Sequence, residues 1–332
     1  MNRVAAEQMN KALKYFQVEL HNINEENAEA LFAHSTLTAV FFFRTSFMEM
    51  EEIRYRTPIG SSFVPDHLID KMIHSFLKTL GGIRGALTVL RPGWNTLMRS
   101  QLAPVCTRKW WPRHRVPQSE RAKEEDRHLA ELEDLWMNSE RTYEPHFACL
   151  SEALKYLRQT FALVSLLTDP EMSFPTMDAP IPYSVDDTTV GMLRDRAAIL
   201  VWPTQLTKEF MLLVESRNTE ALVIVAFFTV LLGRVRNVWW LEGLGVNSLW
   251  GVALALGKDK QHLIKWPTQA LGLDLEGGFG LQPEPVRTDS VIDVSDVVVK
   301  SPIDLDTPLD VKVEIPSPIY QDTPIDFSTF TS

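Results

Sequence analysis

The chain has 332 residues, 45% hydrophobic and 23% charged, enough apolar material for a sizeable core. Its net charge of -10 is uneven: residues 281–332 hold ten acidic residues against Arg287, Lys300 and Lys312, net -7, which leaves a nearly neutral body and excludes a broadly basic nucleic-acid surface. Two cysteines, Cys106 and Cys149, with no CxxC, exclude a disulfide framework and a six-cysteine zinc cluster within these residues, and favour a reducing compartment, nucleus or cytoplasm.

Residues 3–21 place Val4, Met9, Ala12, Leu13, Phe16 and Leu20 at helical spacing and predict an amphipathic opening helix. Asn24 is placed to cap a second helix reaching about Phe47, with Glu25 and Glu26 in its first turn. Phe41, Phe42 and Phe43 cover most of its circumference, so it must contact more than one neighbour. Pro65 opens a third helix with Leu68, Ile69, Met72, Ile73, Phe76, Leu77 and Leu80 inward, interrupted at Gly81-Gly82 and resumed to Leu90. His67, Asp70 and His74 share a helical face, as metal ligands would, but the ordinary reading is a solvated edge.

Residues 104–118 mix Arg108, Lys109, Arg113 and Arg115 with Trp110 and Trp111, a pattern able to grip single-stranded nucleic acid. In an acidic chain a proline-bounded surface loop is preferred, and no direct nucleic-acid binding is expected. Ser119 caps a highly charged helix that offers only Leu129, Leu132, Leu135 and Trp136 for burial, so it is expected at the periphery, as a dimer or partner contact. Glu144–Thr168 is a strongly amphipathic helix, followed by a four-proline segment to Ser184. Asp186 and Asp187 read as helix-capping acids. With Asp195 they also form a weak magnesium-binding alternative.

Ala197–Pro267 organises the rest: short helices punctuated by Trp202-Pro203, Gly243-x-Gly245 and Trp266-Pro267. Pro203 stops or kinks a helix begun near Val190, Thr204 or Thr207 starts the next, and Asn218 caps a helix that is apolar on every side from Ala221 to Leu232. Such a helix requires an enclosing shell of other helices or a ligand. Gly243 and Gly245 permit a positive φ or a close backbone approach. The longest uncharged runs, Ala30–Phe43 and Ala221–Gly233, have 14 and 13 residues, short of a membrane span. Beyond Pro267 a Gly/Pro-rich linker leads into a tail alternating Val or Ile with Asp and carrying four Ser/Thr-Pro pairs, the composition of a disordered activation segment.

Trp202-Pro203, Phe210 with Leu212 and Leu213, the Ala221–Leu232 helix, Trp239-Trp240 with Gly243 and Gly245, and Trp266-Pro267 resemble the C-terminal regulatory half of fungal zinc-cluster transcription factors of the sterol uptake control type. Asn27–Ser35, Phe76–Leu90, Trp94 and Leu102–Pro104 add to the likeness, which covers about residues 20–270. Leu244 departs from it, since family members usually carry an aromatic residue there, and a different ligand is the consequence expected if that ring touches the ligand in the relatives.

The expected architecture is all-α: one multi-helix domain over residues 1–270 around an apolar pocket, with a linker and disordered acidic tail over 271–332. The resemblance implies a sterol- or lipid-sensing regulator without its own zinc cluster, working through transcription machinery or a DNA-binding partner, with a homodimer among the options. Its ligand pocket would draw on Phe42, Phe43, Trp94, Phe210, Phe227, Phe228, Trp239, Trp240, Leu244 and Gly245. No HExxH, GxSxG or phosphate-loop motif is present, and neither a catalytic residue nor a cofactor is expected beyond a bound lipid. Two alternatives remain: a lipid- or terpene-modifying enzyme using the same cavity with Asp186, Asp187 and Asp195, and a protein-interaction module.

Overall fold

A computed structural model describes residues 3–57, 64–107, 116–138, 141–169, 192–235 and 238–275. The predicted linker and tail from residue 276 on, the basic segment 108–115, and Asp186 with Asp187 lie outside the described residues.

The described residues are all-α, as expected, with twelve α-helices: α1 Arg3–Glu19, α2 Ala28–Arg56, α3 Asp66–Leu90, α4 Trp94–Arg99, α5 Ala103–Cys106, α6 Glu120–Ala130, α7 His146–Leu167, α8 Val201–Gln205, α9 Lys208–Glu215, α10 Thr219–Gly233, α11 Leu244–Leu256 and α12 Lys265–Ala270. Short 3-10 helices extend α6, precede α8 and precede α12. An antiparallel bridge of two residues on each side pairs Thr168 with Leu193 and Asp169 with Met192.

Several helix starts follow from local chemistry. Ser119 Oγ accepts from the Ala122 N–H, Thr207 Oγ1 from Phe210 and Asn218 Oδ1 from Ala221, each satisfying a donor that the first turn leaves open. Asn24 acts one step earlier than expected: its Oδ1 accepts from Glu26 and Asn27 in the turn, and Asn27 stands at the cap of α2. Pro203 does not end a helix. It lies in the first turn of α8, where its missing N–H costs nothing.

The expected break at Gly81-Gly82 is absent, and α3 runs unbroken from Asp66 to Leu90. A Cβ on Gly82 would stand 3.1 Å from Phe42 Cδ2 and 3.3 Å from the Ala39 Cα. Packing of α2 across α3 therefore holds a helix through glycines that cost about 1 kcal/mol each in isolation.

The main core runs from Ala39 to Leu273 and centres on α10, whose side chains from Ala221 to Leu232 are all buried. Against it pack α7, α9, α11 and α12, and α2, α3, α6 and α8 complete the core. A second, smaller cluster joins Leu31, Phe32, Val89, Leu90 and Leu97, covered by half-buried side chains from α1, α4 and α5.

Candidate functional site

The Trp-Pro and Gly-x-Gly stretch meets in the main core as three aromatic groups. Trp202 stands edge-on to Phe210 at 5.7 Å and against Phe228 at 4.6 Å between ring centroids, while its Nε1 donates to the Ala153 carbonyl at 2.9 Å. Trp266 stacks on Phe227 at 5.1 Å and on His128 at 5.4 Å. Trp240 packs on Phe43 at 5.0 Å, joining the turn before α11 to α2.

That turn depends on two glycines with different duties. Gly243 has φ +73, the left-handed region that favours glycine. Gly245 is the close approach: a Cβ there would stand 2.7 Å from both the Gly233 nitrogen and the Thr229 carbonyl oxygen, so α11 lies backbone to backbone on α10. Leu244 between them is fully buried, a core residue at the position where the resemblance expects an aromatic ring.

The residues predicted to line one pocket divide among different environments. Phe43, Phe210, Phe227, Phe228 and Leu244 are buried in the main core, and Trp240 is half-buried against it. Phe42 is half-buried over Gly82. Trp94 belongs to the second cluster, away from the others. Trp239 is 62% exposed.

The carboxylates have structural work. Asp195 Oδ1 accepts from the Ala197 N–H at 3.0 Å and caps the 3-10 helix before α8. His67, Asp70 and His74 are exposed, and Asp70 instead receives Arg217, which also binds Asp66 through its side-chain and backbone oxygens. Arg217 has φ +57 and closes α9 as glycine usually would: its N–H reaches the Val214 carbonyl and the Asn218 N–H the Leu213 carbonyl. The left-handed conformation costs about 1–2 kcal/mol for a residue with a Cβ, of which the ion pairs to the largely exposed Asp66 and Asp70 return only a part. Among the described residues no group of three or more His, Cys, Asp or Glu is placed to hold a metal.

The least expected feature is a buried ion pair. Arg234 Nη2 donates to Glu125 Oε1 at 2.6 Å, both side chains under 10% exposed, and Arg121 meets the same oxygen at 2.8 Å. Burial alone would raise the Glu125 carboxyl, but Arg234 and Arg121 hold it below the ordinary carboxylate range. Burial lowers Arg234, whose guanidinium lies 5.3 Å over the Phe161 ring. The charged helix α6 is thus tied into the core rather than peripheral. A signal was present: Ala122, Glu125, Leu129 and Leu132 share one helical stripe, and all four are buried.

Other long-range polar contacts pin the same body. Arg84 donates to the carbonyls of Pro203 and Leu206 at the end of α8, and Arg54 Nη1 donates to Asn247 Oδ1 at 2.9 Å on α11. Cys149 is buried, and burial raises its thiol to about 11, well away from a reactive thiolate.

With this geometry in place, comparison with known proteins gives one partial likeness. Over 80 residues the chain is 32% identical to a Zn(2)-C6 fungal-type transcription factor of Gibberella zeae, a stretch covering 24% of this chain and 16% of that protein. The chain therefore has a distant link to fungal zinc-cluster transcription factors. No family model matches it. No solved structure matches it either. Among the described residues no single helix is long and apolar enough to cross a membrane.

Proposed function

We propose that this chain is a transcription-regulating helical domain that responds to a hydrophobic small molecule, a sterol or another lipid. The observation that carries the regulatory part is the 80-residue likeness to the Gibberella zeae factor. The ligand part rests on the apolar turn where Trp240 covers Phe43 and Leu244 and Gly245 begin α11, with Trp239 exposed beside it. A lipid burying about 500 Å² of apolar surface gains on the order of 10 kcal/mol before ordering costs. Occupancy would then alter which helix surfaces are offered to transcription machinery or a DNA-binding partner in the nucleus.

Native mass spectrometry of the full chain from a fungal expression host tests this reading. The expected result is a co-purifying lipid whose occupancy falls in Trp240→Ala. A chain that carries no lipid, and whose tryptophan fluorescence does not respond to added ergosterol or cholesterol, overturns the ligand part and favours a plain interaction module.

A further inference from the structure

The outer face of α2 is apolar where a solvent-facing helix is expected to be charged. At 100° per residue, Leu37, Phe41, Arg44, Met48, Glu51 and Tyr55 fall within about 40° of one line along the helix. Leu37 is 66% exposed, Met48 39% and Tyr55 63%, and Phe41, Arg44 and Glu51 are half-buried beside them. Ala30 and Ala33 continue the strip, also exposed, so the face carries a single charge from Ala30 to Met48.

The other faces of α2 have neighbours. Gly82 packs on Ala39 and Phe42 from α3, and Ser75 donates to Glu49. Trp240 covers Phe43, Gly243 lies against Phe47, and Asn247 accepts from Arg54. Phe16 of α1 meets His34 at 4.6 Å. What remains without a neighbour among the described residues is a ridge repeating at seven-residue intervals: Leu37, Arg44 and Glu51 on one side, Phe41, Met48 and Tyr55 on the other. Alternating steps of four and three form the seam by which two helices pair.

We propose that this ridge joins two copies of the chain through an antiparallel pairing of α2 with α2. The charges select that arrangement. Arg44 and Glu51 are separated by about 10 Å along the axis, so a two-fold crossing between Phe47 and Met48 sets each Arg44 opposite the Glu51 of the other copy. Tyr55 of one copy then falls between Leu37 and Phe41 of the other, and the two Met48 side chains flank the axis. A parallel pairing would set Arg44 against Arg44 and Glu51 against Glu51. The exposed area of Leu37, Met48 and Tyr55 totals on the order of 300 Å² per copy, below the roughly 800 Å² per partner of a standard interface, so association is concentration-dependent.

Sedimentation analysis of the full chain over a wide concentration range, with circular dichroism to confirm folding, tests the proposal. Wild type is expected to pass from monomer to dimer, and Leu37→Gln with Met48→Gln to weaken association about tenfold or more. Arg44→Glu alone and Glu51→Arg alone each set like charges opposite one another and weaken self-association at least about tenfold. An equimolar mixture of those two variants restores it, because every crossed pair is again opposite in sign. The proposal is overturned by a wild type that stays monomeric, including one whose α2 face is covered by another segment of the same chain. It is also overturned by single variants that associate like wild type, or by a mixture that stays apart.

Discussion

The two hydrophobic clusters differ less in chemistry than in what closes them. The main core surrounds α10 with buried side chains from α2, α3, α6, α7, α8, α9 and α11 and is tied by polar groups that are themselves buried, Glu125 with Arg234 and Trp202 with the Ala153 carbonyl. The second cluster has five buried residues, and its polar closure is at the surface: Asn24 and Asn27 in the turn before α2, and Arg99 with Glu25, both largely exposed. Exposed ion pairs contribute about 0–1 kcal/mol, whereas breaking a buried pair costs several. The difference sets the expectation that the smaller cluster opens more readily than the larger, although α2 and α3 run through both.

The largest expected effect attacks the main core. Glu125→Ala leaves Arg234 buried without its carboxylate and should cost about 3–5 kcal/mol, read as a lower denaturant midpoint with unchanged slope. Replacing both partners, Glu125→Leu with Arg234→Met, should recover most of that loss. A single-variant cost below about 1 kcal/mol would show that water reaches the pair.

A middle-sized effect separates the clusters. Leu97→Ala removes a fully buried side chain and should cost about 2–3 kcal/mol. Amide exchange is expected to quicken in α1 and α4 while α10 keeps its protection. Equal quickening in both places would mean that the clusters unfold as one unit.

The smallest effect is a pH dependence. Burial lowers the His34 imidazole below its ordinary value of 6.5, and its Nε2 is buried with no hydrogen-bond partner among the described residues. The unfolded chain therefore takes up this proton first as pH falls, so the stability contributed by neutral His34 is complete above pH 6.5 and declines below it. His34→Gln should flatten that slope between pH 6.5 and the lowered folded value, with Phe16 and the second cluster reporting the change. Glu125 acts lower on the scale: its folded value is depressed, so its contribution is present above about pH 4.5 and is lost as pH falls through the depressed value and the carboxylate takes up a proton.

Much of the fold was legible because local chemistry announced it. Ser119, Thr207 and Asn218 cap the helices that their spacing predicts, and the uniform apolarity of Ala221–Leu232 gave the most enclosed helix. What escaped depends on partners distant in the chain. Gly81-Gly82 reads as a break until Phe42 is laid across it, Arg217 carries no local signal before Asp66 and Asp70 approach, and Glu125 lies on the buried stripe of α6 but finds its reason only in Arg234. The pocket expectation met a related limit. Aromatic residues mark an interior, but Trp94 and Phe228, distant in the chain, lie in different clusters, and aromaticity alone does not say which interior a ring joins.

The contact of Gly245 with Gly233 and Thr229 leaves no slack between two backbones. A pair of rods so joined can relay a push but has nothing to absorb it with. A methyl at position 245 would meet backbone atoms that cannot swing aside, so Gly245→Ala is expected to prise α11 from α10 and lower the denaturant midpoint.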